Sequence, residues 1–241
     1  MIELIIAIFY QPFLNALVYM YYLLGKVMEN PDMGLAVILF TLLIRVLLLP
    51  LAIKSTESEE ERRKIGTDYA EIEERYATSE PLKFQELKKK LVTINKSTVV
   101  FEGINIGIQL AIAVILWFVF SNGLTGEGLH LLYDWMPEIE QPFNLMFMGT
   151  IDLTHPNVML NLLSAALLFV VETLNITFSP IPPTRRDYLV QFLLPTATFI
   201  YLYTMPAGKK LFVITTLIVS IIFIFVREIK HISNLAQEKK R

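Results

Sequence analysis

The 241-residue chain contains no cysteine, only three histidines and, between residues 122 and 156, no lysine or arginine. Without cysteine there is no disulfide, no thiolate nucleophile, no thiolate zinc site and no lipid-bearing cysteine, and the redox compartment stays undetermined. His130, His155 and His231 stand far apart, with no His-Glu-x-x-His run and no nucleophile elbow around any serine. A glycine-rich phosphate loop is also missing, so energy from a nucleotide would have to come from a partner. Tyr133-Asp134 superficially resembles an intramembrane aspartyl protease dipeptide, but no span carries a second aspartate. These absences argue against an enzyme and leave no catalytic residue, metal site or cofactor to assign. The first ten residues, MIELIIAIFY, lack the basic residues and small-residue cleavage site of a secretory signal, so they are expected to stay on the mature protein.

What the chain has in abundance is apolar sequence. Hydrophobic residues make up 54% of it and the mean hydropathy is +0.52, more than a soluble domain of this size needs. Several runs approach the ~20 residues that cross a bilayer. The expectation is an all-α polytopic membrane protein with five transmembrane helices. The first span, residues 33–53, reads MGLAVILFTLLIRVLLLPLAI and carries one charge, Arg45. A guanidinium inside a span costs about 2.5 to 3.5 kcal/mol on insertion scales and cannot shed its proton, so it requires a partner or a wet cavity.

Residues 1–28 carry Gln11, Asn15, Tyr19, Tyr22 and Lys26 at helical period. That stripe suits an interfacial extracytoplasmic helix, with a sixth span as the alternative. Residues 54–99 hold ten basic and ten acidic residues. Two narrow seams, Ile65, Tyr69, Ile72, Tyr76 and then Phe84, Leu87, Leu91, Ile94, predict a cytoplasmic antiparallel helical hairpin. Between them Ser79 is placed to cap a helix and Pro81 to open it. The second span covers 100–121, an extracytoplasmic loop 122–156, the third to fifth spans 157–226 and a polar tail 227–241.

With five spans, seventeen Lys and Arg residues of the hairpin, the Arg185-Arg186 link and the tail fall on one face, against Lys26, Lys209 and Lys210 on the other. The positive-inside rule then places the N-terminus outside and the C-terminus in the cytoplasm.

Polar residues form rows on the spans: Thr41 one turn from Arg45; Glu102, Asn105 and Gln109; Asn161, Ser164, Glu172 and Asn175; Gln191 and Thr198; Thr216, Ser220 and Arg227. Five helices with one polar face each are able to enclose a hydrophilic groove. Its candidate lining is Arg45, Thr41, Asn105, Gln109, Asn161, Ser164, Thr198, Thr216 and Ser220. Two plainer readings stand beside it. Span Ser and Thr mostly bond back to their own helix, and Arg45 would be a structural ion pair if Glu102 or Glu172 met it.

Read in order, TyrGlnProPheLeu at 10–14, ThrLeuLeuIleArg at 41–45, Pro50-Leu51, the charged hairpin, Gln109, GlyThrIleAspLeuThrHisProAsn at 149–157 and ProAlaGly at 206–208 resemble the YidC/Oxa-type membrane protein insertases. The resemblance implies a five-span groove open to the cytoplasm and to lipid and closed on the outer side. Arg45 would be the groove arginine and Gln109 the second-span glutamine. Its expected partners are nascent membrane proteins, the lipid bilayer, the ribosome through the hairpin and basic tail, and an optional Sec translocon, with no direct nucleic-acid readout. The expected location is the plasma (inner) membrane of a prokaryote, in a short form lacking a large extracytoplasmic domain. Lys209 and Lys210 depart from the pattern, standing where the family is usually apolar, and the Asn95 to Gln109 spacing is a few residues long. The rival reading is a small solute or ion carrier using the same polar-lined cavity. It predicts inverted halves, which the sequence does not display.

Overall fold

The computed structural model describes residues 10–50, 65–66, 68–69, 71–76, 79–94, 107, 111, 129–137, 142–179, 183 and 185–238. These fall in two compact units, one drawn from residues 1–47, 113–178 and 183–241 and the other from 48–112 and 179–182. Of the second span only residues 107 and 111 are described, and Glu102, Asn105 and Gln109 lie outside the described residues.

Among the described residues the larger unit contains five α-helices. Helix α1, Gln11–Val27, opens with proline in its first turn, where the missing N–H is no loss. It buries Leu14, Leu17, Val18 and Tyr21, one face at helical spacing. Helix α2, Met33–Leu47, packs against α1, with Phe13 and Phe40 edge to face at 6.0 Å. Its N-terminus is capped by Asp32, whose Oδ1 accepts the Leu35 amide at 2.8 Å, an arrangement that also sets a negative charge at the positive end of the helix dipole.

Farther along the same unit, Asn157 caps α4, Val158–Thr177, by accepting the Leu160 amide at 3.0 Å. Helix α5 runs Arg185–Leu202 and α6 Ala207–Glu238. Helix α4 packs on α5 and α6, and α2 packs on α6. Asn161 meets Phe199 and Thr173 meets Gln191, so α4 and α5 are antiparallel. Val171, Leu217 and Ile224 share one cluster, and Phe178 meets Phe225, so α4 and α6 run parallel. Only 22% of the apolar windows of α4 and α6 is buried. Leu162, Phe192, Leu193, Ile200 and Ile222 are among the exposed side chains. Helices this apolar and this open have the composition and length for a bilayer rather than a protein core.

Three of these helices begin at one small structure. Met146–Phe147 pairs antiparallel with Ile151–Asp152 in a two-stranded hairpin, Phe147 opposite Ile151. Its turn places Met148 at φ 50 and Gly149 at φ 70, which is why glycine stands at 149. The loop on either side hands its carbonyls to helix N-termini that have no intrahelical acceptor. Asn144 accepts the Met33 amide at 2.9 Å, Leu153 the Gly208 amide at 3.1 Å and His155 the Ala207 amide at 2.9 Å. The starts of α2, α4 and α6 therefore lie at one end of this unit.

In the smaller unit, α3 spans Pro81–Ile94. Tyr69 packs on Phe84 with ring centroids 6.1 Å apart, Lys88 lies over Tyr69, and Lys83 lies over Tyr76. Partners that advance along one arm while receding along the other are antiparallel. Tyr69, Ile72, Tyr76, Phe84, Leu87 and Leu91 are all half-buried, as single seams allow.

Several boundaries differ from the sequence reading. The first apolar helix runs Met33–Leu47 and is interrupted by a turn at Leu48, with helix again at residues 49 and 50; residues 51–53 of the expected span lie outside the described residues. Pro50 accounts for the turn, since its ring opposes the carbonyl one turn earlier. The fifteen residues of α2 rise about 22 Å, and Arg45 falls in its last turn. Among the described residues two helices, α4 and α6, are long and apolar enough to cross a membrane. The tail expected from residue 227 instead continues α6 to Glu238. Ser79 does not cap α3; its hydroxyl donates back to Arg75 at 2.8 Å, while Pro81 does occupy the first helical position.

Candidate functional site

Arg45 is the one charged residue of α2 and is half-buried. The helix C-terminus is where a cation is favoured, because the last carbonyls have no intrahelical donor and carry the negative end of the dipole. Among the described residues the ion pairs are Arg75–Glu71, Lys83–Glu80 and His155–Asp152, and Arg45 belongs to none of them. Arg45 with Glu172, a pairing the sequence allowed, is not among these; Glu172 is half-buried on α4 with an interaction of its own. Glu102, the other candidate, lies outside the described residues.

The polar rows divide by what each side chain does. Thr41 is fully buried and donates to Val37 at 2.6 Å, and Ser164, equally buried, donates to Leu160 at 2.8 Å. Ser220 donates to Thr216 at 3.0 Å. These three bond back to their own helices, the plainer of the two readings. Asn161 does something different: its Nδ2 crosses to the Phe199 carbonyl on α5 at 3.0 Å, while its Oδ1, fully buried, has no partner among the described residues. The hydroxyl of Thr216 is likewise buried without one. Buried oxygens left over in this way are where internal water is ordinarily held. Thr198 is half-exposed beside Phe199. Arg45 is hydrogen-bonded to none of these residues among those described.

At the opposite end of α2 the chain builds a closed cap that sequence patterns only hinted at. Asp32 receives Leu35 through Oδ1 and Met148 through Oδ2, at 2.8 and 3.4 Å. Asp152 receives the Thr154 hydroxyl at 2.6 Å and amide at 2.8 Å, and its other oxygen lies 2.8 Å from His155 Nδ1. The Thr154 hydroxyl and amide, helped by His155, hold the Asp152 carboxyl below the usual carboxylate range. Gly34 lets Phe147 lie directly on α2; a Cβ there would sit 2.7 Å from Phe147 Cγ. Lys210, fully buried, donates to the Asn157 carbonyl at 3.0 Å.

The N-terminal stripe turns partly inward. Asn15 is buried and clamps the loop, donating to the Leu131 carbonyl at 3.1 Å and accepting the Tyr133 amide at 2.8 Å. Tyr21 accepts the Asn144 amide at 3.1 Å through its hydroxyl. Tyr19 meets Trp135, which stacks on Tyr133 at 5.7 Å. Sequence reasoning missed Asn15 as a clamp and Lys210 as a buried group. A polar side chain one position from a buried face, and two lysines opening an apolar helix, were the available signals.

The sequence profile of the 60Kd inner membrane protein family matches residues 23–233. The chain is similar to the membrane protein insertase YidC of Clostridium perfringens, 30% identical over 108 residues that cover 45% of this chain and 44% of that protein. It is similar to the membrane protein insertase YidC of Clostridium tetani, 28% identical over 134 residues, 53% of this chain and 60% of the relative. The YidC of Fusobacterium nucleatum is 24% identical over 194 residues, 79% of this chain and 83% of that protein. The chain thus spans about half the length of the two Clostridium relatives it matches.

Proposed function

Since the chain belongs to the 60Kd inner membrane protein family, the YidC/Oxa insertases, we propose that it inserts nascent membrane proteins into a prokaryotic inner membrane. In this reading α2, the second span, α4, α5 and α6 enclose a hydrophilic groove open to the cytoplasm and to lipid. The capped end of α2, α4 and α6 faces outward, the N-terminus is outside, and the C-terminal end of α6 is in the cytoplasm. The observation that carries the reading is Arg45: a half-buried cation in an apolar helix, outside every ion pair of the described residues.

A hydrophilic tail crossing a bilayer faces a barrier set by dehydration. A groove that keeps water halfway across shortens the dry distance, and the unpartnered Asn161 and Thr216 oxygens support its being wet. Arg45 offers an acidic tail a charge partner, worth about 4 kcal/mol at contact in a partly screened site. The apolar segment of the substrate meanwhile leaves into lipid, gaining about 25 cal/mol per Å² buried. No nucleotide enters the scheme. The hairpin receives the nascent chain early, the tail helps meet the ribosome, and a Sec translocon is an optional partner.

The test is insertion of a substrate with an acidic translocated tail into vesicles holding the purified protein. Arg45→Ala should slow it at least tenfold, and Arg45→Lys should retain part of the rate. Equal insertion by Arg45→Ala and the unaltered protein would remove charge capture. Recovery of Arg45→Ala by also neutralising Glu102 or Glu172 would make Arg45 a structural ion pair.

A further inference from the structure

Lys210 stands where helix physics disfavours a cation. It lies in the first turn of α6, at the positive end of that helix dipole, and the N-termini of α2 and α4 converge on the same end. Its side chain is fully buried, and the acceptor of its ammonium is the uncharged Asn157 carbonyl. The carboxylates of the cap are engaged by other groups: Asp32 by the Leu35 and Met148 amides, Asp152 by Thr154 and His155. Among the described residues Lys210 belongs to no ion pair.

Keeping a buried charge without a counter-charge is expensive, and a neutral side chain would fill the space and donate to Asn157 more cheaply. One turn along α4 from Asn157, the buried Asn161 Oδ1 has no donor among the described residues, which leaves that acceptor for water, and the Lys210 ammonium is the group there with the sign to attract a passing carboxylate. Arg45 is in the last turn of α2 and Lys210 in the first turn of α6. Since the two helices start at the same cap and pack together, these cations mark opposite ends of the packed pair.

Resting on the insertase reading, we propose that Lys210 is a specificity residue, a second fixed positive charge at the outer end of the path that begins at Arg45. It favours the passage of acidic tails and holds back basic ones. A charge acts on a tail carboxylate and a tail ammonium with opposite sign, so the ratio of the two rates reads it directly.

The experiment uses the full chain in zwitterionic vesicles with no membrane potential. The substrate is one apolar segment whose tail carries two aspartates, no charge or two lysines. Lys210→Gln keeps a donor for the Asn157 carbonyl and removes the charge; Lys210→Arg keeps the charge. The acidic-to-basic insertion ratio should fall about tenfold in Lys210→Gln and stay near the unaltered value in Lys210→Arg, with the uncharged tail as internal standard. An unchanged ratio, or equal slowing of all three tails in Lys210→Gln, overturns the proposal and leaves Lys210 a packing residue. If the unaltered protein inserts none of the tails, the insertase reading fails instead.

Discussion

Replacing Gly34 with alanine would ordinarily stabilise a helix, by up to about 1 kcal/mol. Here the new Cβ would lie 2.7 Å from Cγ and 2.8 Å from Cβ of Phe147. Rotating the ring moves Cγ's substituents but leaves Phe147 Cβ in place, because the hairpin backbone holds it. The hairpin must therefore retreat from α2. The bonds at risk are Met33 to Asn144 at 2.9 Å, Met148 to Asp32 at 3.4 Å and Asn144 to Pro31 at 3.2 Å. At about 1 kcal/mol each, two or three of them outweigh the helix-propensity gain and leave a net loss of about 1 to 2 kcal/mol. For a unit of this size that lowers Tm by about 2 to 8 °C. Thermal unfolding of purified Gly34→Ala should show the drop, and the same substitution in a Phe147→Gly background should cost less, since the clashing carbon is gone. A Gly34→Ala protein as stable as the unaltered one, or more so, would refute the close packing of the hairpin on α2.

Asn15→Leu strands the Leu131 carbonyl and Tyr133 amide that Asn15 joins, at a cost of about 1 to 3 kcal/mol; hydrogen exchange at Tyr133 should quicken, and no change would mean the clamp is idle. Gln191→Leu breaks the link to Thr173 but leaves the Thr173 hydroxyl its own bond to Phe169, so the loss should stay near 1 kcal/mol in a denaturant titration. The Asp152 carboxyl is held low by Thr154 and His155 in the folded chain, so its contribution is present above its ordinary value of 3.8 and is lost as the pH falls below that value toward the depressed folded one. Stability measured from pH 5 down to pH 3 should therefore fall less steeply in Asp152→Asn than in the unaltered protein, and identical slopes would contradict it.

What could be read from sequence was set by how local each signal is. Asn157 before an apolar run and Phe178 after it bound α4 without tertiary help, because capping and hydropathy act within a few residues. The seams of Tyr69, Tyr76 and Phe84 were legible for the same reason, their period being a property of single helices. The turn at Leu48 was not visible because hydropathy runs unbroken through Leu47 to Ile53, while Pro50 acts on the backbone one turn upstream. The cap at the start of α2 and α6 was unreadable as a structure: Asn144, Leu153 and His155 contribute backbone carbonyls, which any residue carries, and their partners lie up to about a hundred residues away. At the candidate site the residue types were visible in advance, but not their use. Thr41 and Ser164 turned back to their own helices while Asn161 crossed to α5, a choice made by the neighbouring helix rather than by the residue.

The central claim, that a substrate tail meets Arg45, is tested most directly by crosslinking. A photoreactive residue at Leu42, exposed and one turn from Arg45, is compared with one at Leu193, exposed on α5, while a ribosome-stalled nascent chain with an acidic tail is presented to the membrane. The account predicts that the tail crosslinks to position 42, that the apolar segment crosslinks to position 193 more than the tail does, and that Arg45→Ala weakens the first signal. A tail that crosslinks equally to both positions, or to position 42 with no dependence on Arg45, would contradict it.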